Sequence, residues 1–428
     1  MLTPQPTAGD TAWFVHDRFG MFIHWGLYSL PARHEWLMTS EKIDPTLYAE
    51  RYRPRFNPTH YEPRAWARAA RAAGMKYAIL TAKHHEGFCL WDSAYTDYKA
   101  TNTPCGQDLV APFVEAFRAE GLRIGLYYSL LDWSHPDFTI DVHHPLRDHP
   151  DVATLNQGRA MSRYAAYMRN QVAELLTRFA PDILWCDFSY PQRSYNGLPG
   201  KGRADWESDQ LYALIRQLSP HIMLNNRLDL GDVRADFYTP EQVQLTKWMH
   251  VEGEPVVWEA CQTFSGSWGY HRDEDSWKSP EQLIMMLINT VANGGNLLMN
   301  VGPTPLGTFD PRAQQALAVY RDWMALHGEA IYGCTQSVFP TPPDCRLTQK
   351  GDKVYVHIYA WPFKQLHLPG LGGQVAYARF LHDGSEVPLA SSAWELEYLT
   401  VQPDTQLLFL PVRKPEVIVP VVELTLKA

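Results

Sequence analysis

At 428 residues the chain exceeds what one compact core organises, and it suits a large catalytic domain with a smaller companion. Hydrophobic residues at 45% and charged residues at 20% exclude a disordered, collagenous or coiled-coil chain. A formal charge of -9, from 38 Lys plus Arg against 47 Asp plus Glu with no basic stripe, argues against nucleic acid or an anionic membrane as partner.

The N-terminal MLTPQPTAGDTAW has no basic stretch followed by an apolar one, and no window approaches the roughly 18 apolar residues that span a bilayer. A cytoplasmic protein is therefore the expectation. Strand Met21–Trp25 comes first, then helix Ala65–Ala73, strand Tyr77–Ala82, helix Leu109–Ala119 and strand Ile124–Ser129. The periodicity next predicts helix Met161–Phe179 before strand Ile183–Cys186, and helix Leu211–Leu218 before strand Ile222–Asn225. Strands Val256–Ala260 and Leu297–Asn300 flank a helix with its own punctuation. Ser279-Pro280-Glu281-Gln282 supplies an N-cap, a proline at the first helical position and a glutamine at the third, and Gly294-Gly295 ends it. Asp310-Pro311 opens the following helix in the same way.

Strands alternating with helices mark βα units around a parallel sheet. With no GxGxxG after the first strand, a closed (β/α)8-like, TIM-type barrel is favoured over a doubly wound nucleotide fold, and it is expected over residues 1–335. Two insertions rich in polar and turn residues, Asp132–Gly158 and Ser189–Ser208, follow strand ends, where such a barrel builds its site. After Gly333 the pattern turns to alternating runs, KVYVHIYAWP, QVAYARFL, WELEYLTV, TQLLFLPV and EVIVPVVEL, which predict an antiparallel β-sandwich over 336–428. The six cysteines stand far apart without CxxC or zinc spacing, so mostly free, buried thiols are expected.

Polar residues end the apolar strands. His24-Trp25 follows the first, and a lone His beside Trp is also what a packed core histidine looks like. Lys83-His84-His85-Glu86-Gly87 follows the second, where only a bend would bring both imidazoles to one cavity, since successive strand residues face opposite ways. Tyr127-Tyr128-Ser129 ends the third, Trp185-Cys186-Asp187 the fourth, and Asn225-Asn226-Arg227 the fifth, with Asp229 as a structural partner for the arginine. Glu241 lies on a loop in DFYTPEQ, and Glu259 on the sixth strand. Carboxylates from different elements meeting at a barrel mouth are what glycosidic bond cleavage requires. One must face the anomeric carbon of an oxocarbenium-like state, and a second must protonate the leaving oxygen. Asp187 fits the first role and Glu241 or Glu259 the second. The 13% aromatic content, with 15 Trp and 22 Tyr, supplies ring faces for a sugar; His24, His84, His85, Trp36 and Trp185 have the character of a sugar clamp, with no metal or cofactor invoked.

In order and spacing, RFGMFIHWGLYSLPARHEW, AKHHEGFCLWDS, GLYYSLLDW, ILWCDF, WEACQTFSGSWGY and GGNLLMNVGPTPLGT resemble the α-L-fucosidases of glycoside hydrolase family 29, over about residues 13 to 330. The resemblance implies a retaining exo-glycosidase that removes terminal α-L-fucose through a covalent fucosyl-enzyme intermediate, with a fucosylated oligosaccharide or glycoconjugate as substrate. It assigns the nucleophile to Asp187 and sugar binding to His24, His84 and His85. Tyr127, Arg227 and the pair Glu35-Trp36 match further family positions. For the acid/base, Glu241 is favoured over Glu259, and the losing residue is expected near the substrate or holding the loop Trp268-Gly269-Tyr270.

Other readings carry less. The cluster Asp141, His143, His144, Asp148 and His149 looks metal-like by composition but has no ligand spacing, so a solvated lid loop is expected there. No GxSxG elbow is present. Trp133, Trp206 and Trp361 read as core or interface anchors. From a different class, the alternative is a fucose-binding protein on a degenerate, non-catalytic barrel, which need not keep both carboxylates. A homo-oligomer is a further expectation.

Overall fold

Seven of the apolar runs become strands of one parallel sheet in the computed structural model, which describes residues 2–427 apart from 232, 234, 391–396 and 400. They are β1 (Phe19–Ile23), β2 (Tyr77–Lys83), β3 (Arg123–Ser129), β4 (Ile183–Asp187), β5 (Met223–Leu224), β6 (Glu259–Thr263) and β7 (Asn296–Val301), in the order β6-β7-β1-β2-β3-β4-β5. Residues 237–241 span the gap between β5 and β6. Phe237 bridges to Asn225, Tyr238 to Trp258 and Glu241 to Cys261, all parallel. Pro240 has no N–H to give to a ladder, so this eighth position is irregular, yet it closes the sheet on itself as a (β/α)8-like barrel.

Strand alternation sorts the side chains. Phe22, Tyr77, Ile79, Tyr127, Ile183, Trp185, Cys261 and Leu298 form the barrel interior, capped below by Phe14 of the helix Thr11–Asp17. Met21, Ile23, Ala78, Leu80, Leu126, Leu184, Leu297 and Met299 belong to the outer core, with the helices Pro63–Ala72, Val110–Ala119, Met161–Phe179, Ser208–Leu218, Pro280–Ala292 and Pro311–His327. Gly20 lets the Tyr77 ring cross the interior, because a Cβ there would stand 2.3 Å from that ring. The expected capping box forms: Gln282 N donates to Ser279 Oγ at 3.3 Å and Ser279 N to Gln282 Oε1 at 2.8 Å.

Two strand boundaries differ from expectation in ways that matter. β1 stops at Ile23, so His24 and Trp25 stand just beyond it. The sixth strand is Glu259–Thr263 and not Val256–Ala260, which puts Glu259 at its start instead of near its end.

The C-terminal residues form an antiparallel sandwich. β8 (Cys345–Lys350), β9 (Lys353–Ile358), β13 (Val421–Leu426) and β11 (Val375–Phe380) lie side by side in that order, with Thr335–Gln336 at the β8 edge; β10 (Gln365–Pro369) pairs with β12 (Thr405–Phe409). Val354, Val356, Leu366, Leu368, Leu408, Val422 and Leu424 fill the space between. β8 and β10 were not expected, the one polar at four of its six residues and the other short. Half of the run WELEYLTV, residues 394–396 and 400, lies outside the described residues. EVIVPVVEL enters the ladder only from Val421, after Pro420. The cysteines carry no disulfide, and all but Cys105 are buried. Among the described residues no helix is long and apolar enough to cross a membrane.

Candidate active site

The site begins with a bend. The β2–β3 register slips between Thr81 and Lys83, and a turn then closes as Gly87 N donates to His84 O at 3.0 Å. Gly87 has φ +85°, and a Cβ on it would stand 2.1 Å from Asp132 Oδ1, so only glycine makes this turn. The bend brings the His84 and His85 rings to 4.0 Å between centroids, and both face one cavity.

That cavity, about 60 Å³, lies at the C-terminal ends of the barrel strands and is lined by Phe22, His24, Trp36, His84, His85, Tyr127, Trp185, Asp187, Phe188, Arg227, Glu241, Cys261 and Trp268. A larger groove, about 600 Å³, runs outside the barrel between helices Pro63–Ala72 and Pro311–His327, but its lining is mostly apolar and no carboxylate pair faces it. The chemistry is concentrated at the strand ends.

Arg227 organises the charges. It stands on the turn Asn226–Leu228 after β5 and donates from Nη1 to Asp187 Oδ1 at 2.7 Å and from Nη2 to Glu241 Oε2 at 2.8 Å. Its Nε donates to Thr239 Oγ1 at 2.9 Å, and its guanidinium lies 4.5 Å over the Trp185 ring. Asp229, the structural partner considered for it, instead accepts from Arg203 N at 2.9 Å. Tyr127 donates its hydroxyl to Asp187 Oδ2 at 2.6 Å, and His85 Nε2 stands 4.0 Å from the same oxygen. Burial raises the Asp187 pKa, the Arg227 cation pulls it back, and the nearby Glu241 charge raises it again. Burial works against the Arg227 charge, yet Asp187, Cys261 and Glu241 hold its pKa above the ordinary value. The Asp187 side chain is 10% exposed and that of Glu241 41%, so one carboxylate is fixed in the wall and the other stands at the opening.

The histidines are neutral. Burial pushes His24 down to about 3 and holds His84 and His85 well below the usual range. His24 Nδ1 bonds Asn300 Oδ1 at 2.6 Å, while Asn300 Nδ2 donates to Trp268 O at 2.6 Å. His85 Nδ1 bonds Ser129 Oγ at 2.7 Å, and that hydroxyl donates to Leu131 O at 2.8 Å. Both rings therefore carry their proton on Nδ1 and leave Nε2 as an acceptor.

The carboxylates proposed from sequence part company here. Glu259 does not stand at the barrel mouth: it is fully buried at the start of β6, accepts from Tyr77 OH at 2.5 Å and Trp185 Nε1 at 3.3 Å, and lies outside the cavity lining. Burial raises its pKa to about 8. Nor does it hold the Trp268-Gly269-Tyr270 loop. Glu35 does so, accepting from Gly269 N at 2.7 Å, with its own pKa raised to about 7 by burial. Trp36 lines the cavity while Glu35 stands behind it.

The sequence assigns no site role to Phe22, Ser129, Phe188, Cys261, Trp268 or Asn300; all six sit inside the family-like motifs but carry no charge to mark them. Phe188 adopts φ +84°, a costly conformation for an aromatic residue, and its ring meets Trp36, His85, His143 and Tyr190. The first insertion is only partly solvated: Asp148 and His149 are exposed, as expected, but the rest of the cluster turns inward. Asp141 and His144 are fully buried, and Asp141 pairs with Lys201 at 3.2 Å and accepts from Tyr190 OH at 2.5 Å, tying the two insertions together beside the site.

Residues 5–329 match the family model described as Alpha-L-fucosidase. The solved structure of α-L-fucosidase isoenzyme 1 from Paenibacillus thiaminolyticus superposes with a TM-score of 0.90 at 42% identity, covering 98% of this chain and 99% of that one. A family 29 α-L-fucosidase from Bacteroides thetaiotaomicron, trapped as a covalent intermediate with 2-fluoro-fucosyl fluoride, gives a TM-score of 0.84 at 26% identity over 100% and 98% of the chains. Human plasma α-L-fucosidase is 30% identical over 94% of this chain and 85% of its own length.

Proposed function

The chain belongs to the α-L-fucosidases of glycoside hydrolase family 29, and from that premise we propose that it is a retaining, exo-acting enzyme with Asp187 as nucleophile and Glu241 as acid/base. The family consists of hydrolases, so the non-catalytic barrel is set aside. The observation that carries the finer reading is the bridge at Arg227, one guanidinium holding Asp187 on Nη1 and Glu241 on Nη2. A shared guanidinium draws the two carboxylates together, which suits the short separation of retaining sites, roughly 5–5.5 Å, better than the roughly 6.5–9.5 Å of an inverting pair. The covalent intermediate trapped in the Bacteroides relative supports the same course.

In this reading Asp187 attacks the anomeric carbon while Glu241 gives its proton to the leaving oxygen, forming a fucosyl ester. Glu241 then takes a proton from water as that water attacks the same carbon and frees the carboxylate. Arg227 and Tyr127 keep Asp187 ionised and aimed before attack, and they stabilise it as it leaves. Glu241, exposed at the opening, stands where the water of the second step enters. His24, His84, His85 and Trp36 would hold the sugar, and Phe22, Trp185 and Trp268 would meet its apolar faces. The test is release of fucose from p-nitrophenyl α-L-fucoside, followed by proton NMR in the same tube. The α-anomer forming first supports retention; the β-anomer first would sink it, and no fucose from an added fucosylated oligosaccharide would sink exo-fucosidase action.

A further inference from the structure

His84 and Glu86 share the turn after β2, and the mechanism above leaves Glu86 unused. His84 Nδ1 stands 3.7 Å from Glu86 Oε2, and both residues are buried. His84 Nδ1 and both Glu86 carboxyl oxygens are buried with no hydrogen-bond partner among the described residues, and at 3.7 Å a small side-chain rotation brings the two together. Unpaired buried polar atoms are costly, and here the two sets face each other. The His84 ring lines the cavity with its Nδ1 on the buried side, so Nε2 is the nitrogen left for a substrate.

Building on the fucosidase reading, we propose that Glu86 is a positioning residue: as a neutral carboxylic acid it donates its O–H to His84 Nδ1, and so fixes His84 as the histidine that donates from Nε2–H to a sugar hydroxyl. His24 and His85 are locked the other way, each with Nδ1–H committed, to Asn300 and Ser129, and Nε2 an acceptor. Arg227 is committed to Asp187, Glu241 and Thr239. A sugar hydroxyl both donates and accepts, so a pocket of imidazole acceptors alone leaves its lone pairs unmet. His84 in the opposite tautomer supplies the one donor among the three imidazoles, beside the indoles of Trp36 and Trp268.

The surroundings keep Glu86 protonated. Asp132 faces it with negative charge and Glu35 adds to this once it ionises near pH 7, Tyr28, Tyr48 and Tyr98 present neutral hydroxyls, and the cation of Lys83 is engaged by Asp132 at 3.3 Å. Burial, with Asp132 and Glu35 adding to it against the backbone N–H and Lys83, raises its pKa to about 8. His84 is itself neutral, held far down first by burial and then by His85 and His24. Above pH about 8 the ionised carboxylate would instead accept a hydrogen bond from Nδ1–H, the tautomer in which Nε2 is an acceptor, weakening the grip on the sugar.

The experiment measures KM and kcat for p-nitrophenyl α-L-fucoside, and L-fucose binding by calorimetry, across about pH 6 to 9 in the wild type, Glu86→Gln and Glu86→Leu. The glutamine amide donates as the acid does but cannot ionise. It should keep KM within about threefold at neutral pH and abolish the rise in KM near pH 8 that the wild type shows. The leucine should raise KM and weaken fucose binding roughly tenfold at every pH, with kcat moving less. Glu86→Gln losing as much as Glu86→Leu at unchanged melting temperature overturns the proposal, and so does a leucine variant with wild-type KM. Should the leucine variant not fold, an alkaline rise in KM that persists in Glu86→Gln overturns it. Wild-type protein that binds fucose without turning over aryl fucoside would fail the activity reading alone, since the binding measurements still test Glu86.

Discussion

The two ends of the barrel interior hold the same pair of residues and use them differently. At the C-terminal end Tyr127 donates to Asp187 at 2.6 Å; at the N-terminal end Tyr77 donates to Glu259 at 2.5 Å, and all four side chains are buried. Among the described residues only the upper carboxylate has a cation hydrogen-bonded to it. Arg227 offsets the burial of Asp187 with a short charged contact, whereas Glu259 has only the hydroxyl and the Trp185 indole and is pushed to about 8. A carboxylate with a tyrosine is thus a charged, aimed group when a guanidinium completes it, and a neutral strut when none does. Chemistry follows the charge compensation, and the strand register decides which end a residue reaches.

The sharpest way to break this contrast is to remove charge from each end in turn. Asp187→Asn keeps the shape and deletes the nucleophile, and kcat on the aryl fucoside should fall by about 10⁴-fold or more. Glu241→Gln should cost about 10²- to 10⁴-fold on a fucosylated oligosaccharide, whose leaving group needs a proton, and less on the aryl fucoside, whose leaving group does not. Equal losses on both substrates would remove Glu241 from the acid role.

Much of the upper end was legible in the sequence, because its residues are polar interruptions of apolar strands. His24, His84, His85, Tyr127, Trp185, Asp187, Arg227 and Glu241 all line the cavity, and Asp187 falls in the last position of β4. The eighth barrel position was not legible. Residues 237–241 contain Pro240 and read as a loop, yet they bridge to Trp258 and Cys261 and carry Glu241 to the opening. Glu259 was misplaced for a related reason: Val256, Val257 and Trp258 are apolar enough to read as strand, but the sheet begins at Glu259. A shift of a few residues in register turned a mouth residue into a floor residue. Phe188 and Asn300 left no mark because the one is singled out by its backbone φ and the other by a partner far along the chain.

The lower end answers to stability before it answers to catalysis. Glu259→Leu would leave the Tyr77 O–H and the Trp185 indole N–H without an acceptor in the interior, at about 1–3 kcal/mol of folding stability by chemical denaturation. Glu259→Gln retains an acceptor for one of them and should cost less. Neither should change kcat on the aryl fucoside by more than about tenfold, since Glu259 is outside the cavity lining. A Glu259→Gln enzyme as inactive as Glu241→Gln would instead make the floor part of the catalytic machinery and erase the distinction between the two ends.

The smallest expected effect is the dependence of stability on pH, and its sign follows from the same buried groups. Glu35, Glu86 and Glu259 titrate at about 7, 8 and 8 in the folded chain, against 4.5 for an ordinary glutamate. The folded state therefore holds protons that the unfolded state has lost, and the stability these groups contribute falls as pH rises from about 4.5 through about 8. The buried histidines act in the opposite sense. His24 and His357 are at about 3 and His144 and His327 at about 4, against 6.5 unfolded, so their contribution is complete above 6.5 and is lost as pH falls below it. The two slopes oppose each other below pH 6.5, and above it only the carboxyls act. The melting temperature should accordingly peak near pH 6.5 and decline toward 8.5, and Glu86→Gln or Glu259→Gln, which cannot ionise, should each flatten that alkaline decline by roughly 2–4 °C or less. A decline equally steep in both variants would mean that these carboxyls are already ionised in the folded chain, and the neutral strut at the barrel floor would have to be redrawn as a charged one.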